Sequence, residues 1–192
     1  MKKILFSLIM MLAFFVSANA KAEGTSNVLL YIQPFEYTNE VKLQHFSLEY
    51  WFAQGPMVEP IAKEKLGKLY GNVAMCEANQ TGKMLIWLQP KMFYNGQLQV
   101  FYGQITANVY TELGKPVGSY KGEYTQQGYL GIKPAYWLNK AYNKAMDKLV
   151  GKMQADSQLQ SVTNSTTVSS ANNTPCSMVT LLATPKIRAM SF

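Results

Sequence analysis

One histidine (His45), one arginine (Arg188), two aspartates and two cysteines are all this chain offers of several side-chain types that commonly do chemistry. A single histidine excludes a multi-histidine metal centre. No HExxH, CxxC, GxSxG, phosphate-loop or GxGxxG pattern occurs. The 11 Asp and Glu residues are scattered, with no sequence pair of the kind that forms a glycosidase dyad. His45 lies in an alternating segment with no second ligand near it, and reads as an ordinary polar strand residue. The chain is therefore expected not to be an enzyme, with no catalytic residue, no metal site and no cofactor.

Charge is also sparse, at 15%, yet 48% of residues are hydrophobic and 12% aromatic, which excludes wholesale disorder. A length of 192 residues fits one domain, or one domain with a tail, and can bury a core without relying on crosslinks.

Residues 1–20 read MKKILFSLIMMLAFFVSANA. Lys2 and Lys3 precede an apolar stretch from Ile4 to Val16, and Ala18 and Ala20 supply the small residues that signal peptidase requires. The apolar stretch is shorter than the ~20 residues that span a bilayer. A secretory leader cut after Ala20 is expected, with a cut after Ala22 as the alternative. No cysteine stands near the cut to accept lipid. The chain carries +7, and losing Lys2 and Lys3 leaves +5. The expected compartment is a bacterial envelope, periplasmic or secreted and peripheral to the outer membrane. Export excludes nucleic acid as a partner, and no later apolar run is long enough to span a membrane.

Asn27 to Phe35 is an apolar strand closed by Pro34. Residues 43–52 alternate at Phe46, Leu48, Tyr50 and Phe52 and read as a second strand, with a helix as the alternative. Gly55-Pro56 breaks the chain. From Met57, Ile61, Ala62, Leu66, Leu69, Tyr70 and Val73 follow helical spacing, supported by Glu64 four residues before Lys68. Three strands follow: Lys83 to Tyr94, Leu98 to Thr111 and Val117 to Tyr124. Asn95-Gly96 and Leu113 to Pro116 turn the chain between them, and Gly103 marks a bulge. Pro134 opens a helix to about Ala155 with an apolar stripe through Leu138, Ala141, Tyr142, Ala145, Leu149 and Met153. The expected fold is α+β, a mainly antiparallel sheet in the order β-β-α-β-β-β-α, with two helices packed on one face. The domain spans 27–156, a Ser/Thr/Asn-rich flexible linker 157–175, and a short apolar tail 176–192.

Three sets of residues are candidates for function. Cys76 and Cys176 form an even pair in an exported chain, so a disulfide pinning the tail to the domain is expected. Lys140, Lys144, Lys148 and Lys152 recur every fourth residue, forming either a contact with anionic lipid or an acidic partner or a solvated face. Trp87, Tyr94, Tyr102 and Tyr110 belong to an aromatic-rich sheet that could meet lipid, glycan or another subunit, although aromatics also favour strands for their own sake.

The segments from Gly55-Pro56 to Val73, Leu85-Ile86-Trp87-Leu88-Gln89-Pro90, Ile105 to Lys115 and Ala141 to Leu149 together resemble small α/β bacterial envelope proteins. These are the YajG-type, lipopolysaccharide-assembly and ABC-transport auxiliary lipoproteins. The resemblance covers about 28–155, and the chain departs from the group in lacking the lipid-bearing cysteine. It implies a non-enzymatic accessory or binding component that engages an envelope protein, anionic lipid or lipopolysaccharide. The alternative is a periplasmic carrier of a lipid or other hydrophobic ligand.

Intact-mass analysis of the exported protein is expected to show loss of 20 or 22 residues and no added lipid, whereas a retained Met1 or a diacylglyceryl adduct contradicts the leader reading.

Overall fold

The computed structural model describes residues 26–77, 80, 82–164, 176 and 179. The expected leader, residues 165–175 of the expected linker and most of the apolar tail lie outside these residues. In chain order the elements are β1 (Ser26–Ile32), α1 (Phe35–Thr38), β2 (Glu40–His45), β3 (Leu48–Ala53), α2 (Gln54–Tyr70), β4 (Val73–Met75), β5 (Gly82–Asn95), β6 (Val100–Thr111), β7 (Pro116–Gln127), α3 (Pro134–Ala155) and α4 (Ser157–Asn164).

Five strands form one sheet in the order β4-β1-β5-β6-β7, and β2-β3 is a separate hairpin. β1 runs parallel to both β4 and β5, with Leu29 opposite Ala74 on one side and Leu85 on the other. Only β5-β6-β7 is an antiparallel meander. The sheet is therefore mixed, which overturns the expected mainly antiparallel α+β arrangement. The reason lies in the crossover. After β1 the chain makes α1, the β2-β3 hairpin and α2, and so returns to lay β4 and β5 in the direction of β1.

Alternation divides the sheet's side chains between two covers. Val28 and Leu30 of β1, Met84, Ile86 and Leu88 of β5, and Phe101, Ile105 and Val109 of β6 pack with Val58, Ile61 and Leu66 of α2 and Leu138, Tyr142 and Leu149 of α3. On the opposite face Leu29 and Leu85 are buried with Val179, beside Tyr31, Ala74 and Tyr110. Cys76 and Cys176 are joined in a disulfide, Cα to Cα 5.4 Å, closing a separation of 100 residues. In the chain-entropy model a loop of that length contributes up to about 4.7 kcal/mol. The bond holds Cys176 on the side of the sheet where Val179 covers Leu29 and Leu85.

Other differences from the sequence reading have local causes. The single strand expected over 43–52 is a hairpin turning at Phe46 and Ser47, because Phe46 takes a left-handed φ of 51°. Gly55-Pro56 lies inside the first turn of α2, where the N–H that proline lacks has no intrahelical partner to lose. Val73, which fits the helical spacing, belongs to β4, since the chain leaves α2 at Gly71 with φ +81°. The irregularity in β6 falls between Val109 and Tyr110, not at Gly103. The first half of the expected linker is helical. Asp156 caps α4, accepting from the Gln158 N–H at 2.8 Å and the Leu159 N–H at 3.3 Å.

Gly103 and Gly122 instead let α3 approach the sheet. A Cβ on Gly103 would lie 3.2 Å from the Ala141 backbone, and one on Gly122 would overlap the Ala145 carbonyl oxygen and come within 2.8 Å of the Leu149 backbone. Among the described residues three non-glycine residues also have positive φ: Phe46 (51°), Gln99 (51°) and Lys133 (49°), each costing about 1–2 kcal/mol in that conformation.

Alanine at three glycines is expected to order as follows in denaturant melts. Gly122→Ala destabilises by about 3 kcal/mol because α3 must move, and Gly103→Ala by about 1 kcal/mol. Gly151→Ala in exposed α3, where a Cβ meets open space, stabilises by about 0.5–1 kcal/mol.

Candidate functional site

β5 continues seven residues past the end of its pairing with β1 at Leu88. Beyond that point one edge of β5 lacks β1, and Pro90 costs no ladder bond on that side. Here a groove of ≈810 Å³ opens. Lys91, Phe93 and Asn95 of β5, Tyr102 and Gln104 of β6, and Glu123 and Thr125 of β7 line it. Phe93 pairs with Tyr102, Lys91 with Gln104, Tyr102 with Thr125 and Gln104 with Glu123, so these side chains share the face turned away from α3. Phe93 is 46% exposed, with its ring 5.8 Å from that of Tyr102. Glu123 is bridged by Lys121 at 2.7 Å. Met92, Gly103 and Tyr124 of the same strands, which alternate to the face toward α3, and Val41 of β2, Gln54 of α2 and Lys148 of α3 also belong to the lining. An apolar aromatic floor with separated polar groups suits a flat or apolar ligand surface oriented by a few hydrogen bonds.

Gln54 ties the groove to a buried polar chain. Its Nε2 donates to Glu36 Oε2 at 2.8 Å, and its Oε1 accepts from the Tyr142 hydroxyl at 2.7 Å. The chain joins α1, α2 and α3, and all three side chains are buried. Burial raises the Glu36 carboxyl above its ordinary range, and the Gln54 hydrogen bond only partly offsets this. Burial, and secondarily the nearby Glu36 charge, push the Tyr142 phenol well up. Next to it, Tyr37 donates to Glu59 at 2.7 Å and Lys63 donates to the same carboxylate at 2.6 Å. Burial works to raise Glu59, but these two bonds hold it below its usual range.

The aromatic candidates separate. Tyr102 lies in the groove. Trp87 is on the same face but only 1% exposed, its ring 6.1 Å from Tyr31. Tyr110 is half-buried beside the Leu29–Leu85–Val179 cluster. Tyr94 points to the other face and is buried, and its hydroxyl accepts from the Leu130 N–H at 3.3 Å. These four therefore do not form one surface. Phe93, one of the sheet's aromatics but not among these four candidates, is the exposed aromatic of the groove. Its signal was the alternation with buried Met92 and Tyr94.

The lysine candidates are spaced along α3 but have local partners. Lys140 sits 5.8 Å from the Trp137 ring and Lys148 5.4 Å from Tyr124. Lys144 lies 3.8 Å from Asp147, and Lys152 donates to the Lys121 carbonyl at 2.7 Å. His45, at the end of β2, lies among the rings of Phe46, Tyr94 and Tyr129. Among the described residues no three His, Cys, Asp or Glu side chains gather as metal ligands, and no helix is long and apolar enough to cross a membrane.

No protein-family model matches the chain, and no curated protein matches it. A solved structure similar to part of it is that of a "putative lipoprotein" from Caulobacter crescentus, at 12% identity. The match covers 58% of this chain and 84% of that one, with a TM-score of 0.34. A likeness at that score fixes neither fold nor role.

Glu36→Gln is expected to stabilise the protein at neutral pH while preserving the acceptor for Gln54. A carboxyl whose folded pKa is raised contributes its stability below the unfolded value and loses it as pH rises through the folded value. The gain of the variant over wild type is therefore expected to vanish in acid and to grow as pH rises above about 4.3, the ordinary glutamate value, as read by melting across that range.

Proposed function

We propose that the protein is an exported, non-enzymatic binding component of a bacterial cell envelope, meeting an envelope protein or an anionic lipid through the open half of its sheet. The observation that carries this reading is the division of the sheet's outer face. One half is closed by the Cys76–Cys176 bond and Val179, while the other presents Phe93 and Tyr102 in an open groove of ≈810 Å³. Disulfides persist in oxidising compartments, which agrees with the expected leader. The binding rather than catalytic role rests on the sequence, which lacks the spacings of a triad, dyad or metal site.

A carrier of a hydrophobic ligand takes second place. That reading needs space between sheet and helices, where Ile86, Phe101, Ile105, Leu138 and Leu149 are 0% exposed. The groove has the volume of a small-ligand site, but much of its lining belongs to the other face.

A photo-reactive residue replacing Phe93 in intact cells is expected to form an adduct with an envelope component, weakened at least about tenfold by Tyr102→Ala, the loss of one aromatic anchor. The same residue at Leu113, beyond the far end of β6, is expected to form none. Equal labelling from both positions, or a chain found in the cytosol with free Cys76 and Cys176, contradicts the proposal.

A further inference from the structure

Three turns meet at the end of the molecule where β2 finishes. The β2-β3 turn carries Phe46, 87% exposed, with Leu48, 37% exposed, at the start of β3; the 96–99 turn carries Leu98, 59% exposed, and the 128–133 loop carries Ile132, 60% exposed. They are joined around His45. Its ring lies 5.6 Å from Tyr129, and Gly96 packs against it. The Gly128 N–H donates to the Gln99 carbonyl at 2.9 Å, and Gly131 packs against Leu48. The indole N–H of Trp137 donates to the Ile132 carbonyl at 2.9 Å, which fixes the last loop to the start of α3. Tyr136, 54% exposed, stands beside it. Each turn contains one of the residues with positive φ, Phe46, Gln99 or Lys133. Backbone held in that region persists only where the surroundings impose it, and such positions cluster at working surfaces.

The charge of this end is of one sign. Residues 43–48, 95–111 and 124–146 contain no Asp or Glu, and 124–146 contain Lys133, Lys140 and Lys144. Lys133 and Lys140 are exposed, and among the described residues neither pairs with a carboxylate. The carboxylate next to the hairpin tip, Glu49, is held by Lys42.

We infer that this end docks on an anionic lipid surface, with Phe46, Leu98 and Ile132 entering the headgroup boundary and Lys133 and Lys140 meeting lipid phosphates. Separate apolar points on three braced turns, together with Tyr136, Trp137, Lys133 and Lys140, are the residue types that a membrane interface takes up. A protein partner would more commonly meet a single apolar core surrounded by a polar rim. The inference rests on the envelope reading and names the surface that would contact lipid, adjoining the groove at Asn95.

The test uses the disulfide-bonded protein as isolated from expressing cells, with its intact mass recorded, and sedimentation with vesicles of phosphatidylcholine alone or mixed with phosphatidylglycerol. Wild type is expected to bind the mixed vesicles and to release as salt rises. Phe46→Ser with Ile132→Ser is expected to lower the partition coefficient at least about tenfold. Lys133→Gln with Lys140→Gln is expected to lower it by about 25-fold at low salt. Leu113→Ser, an exposed leucine in the β6-β7 turn, is expected to change nothing, and all variants should melt like wild type because the replaced side chains are exposed. No binding by wild type at low salt, or equal binding by wild type and the Phe46/Ile132 variant, overturns the inference. Binding lost in the lysine variant alone reduces it to surface charge and overturns insertion. A retained leader seen in the intact mass defeats the export reading separately.

Discussion

β1 is apolar on both faces, and the rest of the architecture answers to that. Val28, Leu29 and Leu30 are each 0% exposed, and successive residues of a strand point to opposite sides. A strand of this kind needs a neighbour on each edge and a cover on each face. β4 and β5 supply the edges, α2 and α3 with their apolar stripes supply one cover, and the region held by Cys176 supplies the other. The disulfide thus keeps Cys176 and Val179 over Leu29 and Leu85.

The signal for the parallel pairs was in the sequence. Strands buried on both faces read as continuous apolar runs rather than as alternation, and both Val28-Leu29-Leu30 and Met84-Leu85-Ile86-Trp87-Leu88 are such runs. The meander was legible because turn chemistry punctuates it at Asn95-Gly96 and Gly114 to Pro116. The hairpin was not, because its turn is made by Phe46 and Ser47, which carry no glycine, proline or asparagine and continue the alternation of the strands beside them. α4 was hidden for a different reason. Its polar composition reads as linker, and one side chain, Asp156, organises its start. The Tyr120 hydroxyl donates to Asp156 at 2.6 Å, and that bond, followed by the Leu159 and Gln158 N–H groups, holds its carboxyl below the usual range. No periodicity in the sequence announces a partner 36 residues away.

The site was legible only in part. Period two assigns a side chain to a face but says nothing of what covers that face. Trp87 and Phe93 are on the same face of β5, yet one is sealed and the other is open. The lysines of α3 show the same limit. Their spacing gave a stripe, but Trp137, Tyr124, Asp147 and the Lys121 carbonyl, which engage them, come from α3 itself and from β7. The buried Glu36–Gln54–Tyr142 chain includes a bond between residues 88 positions apart and left no local trace.

A difference in strand length places the open surface. β1 has seven residues and β5 has fourteen. Where both run side by side, Val179 and the Cys76–Cys176 bond lie over the outer face. Where β5 runs on alone with β6 and β7, the β2-β3 hairpin packs beside its exposed edge and Val41 reaches the groove. The same overhang carries the 96–99 turn outward to meet the hairpin tip and the loop before α3. Shortening β5 to the length of β1 would remove the groove floor and the meeting point of the three turns together, while leaving β1 with both of its neighbours and both of its covers. Leu29 and Leu85, beside β1, are sealed on the outer face, while Phe93 and Leu98 stand exposed in the half that β1 does not reach.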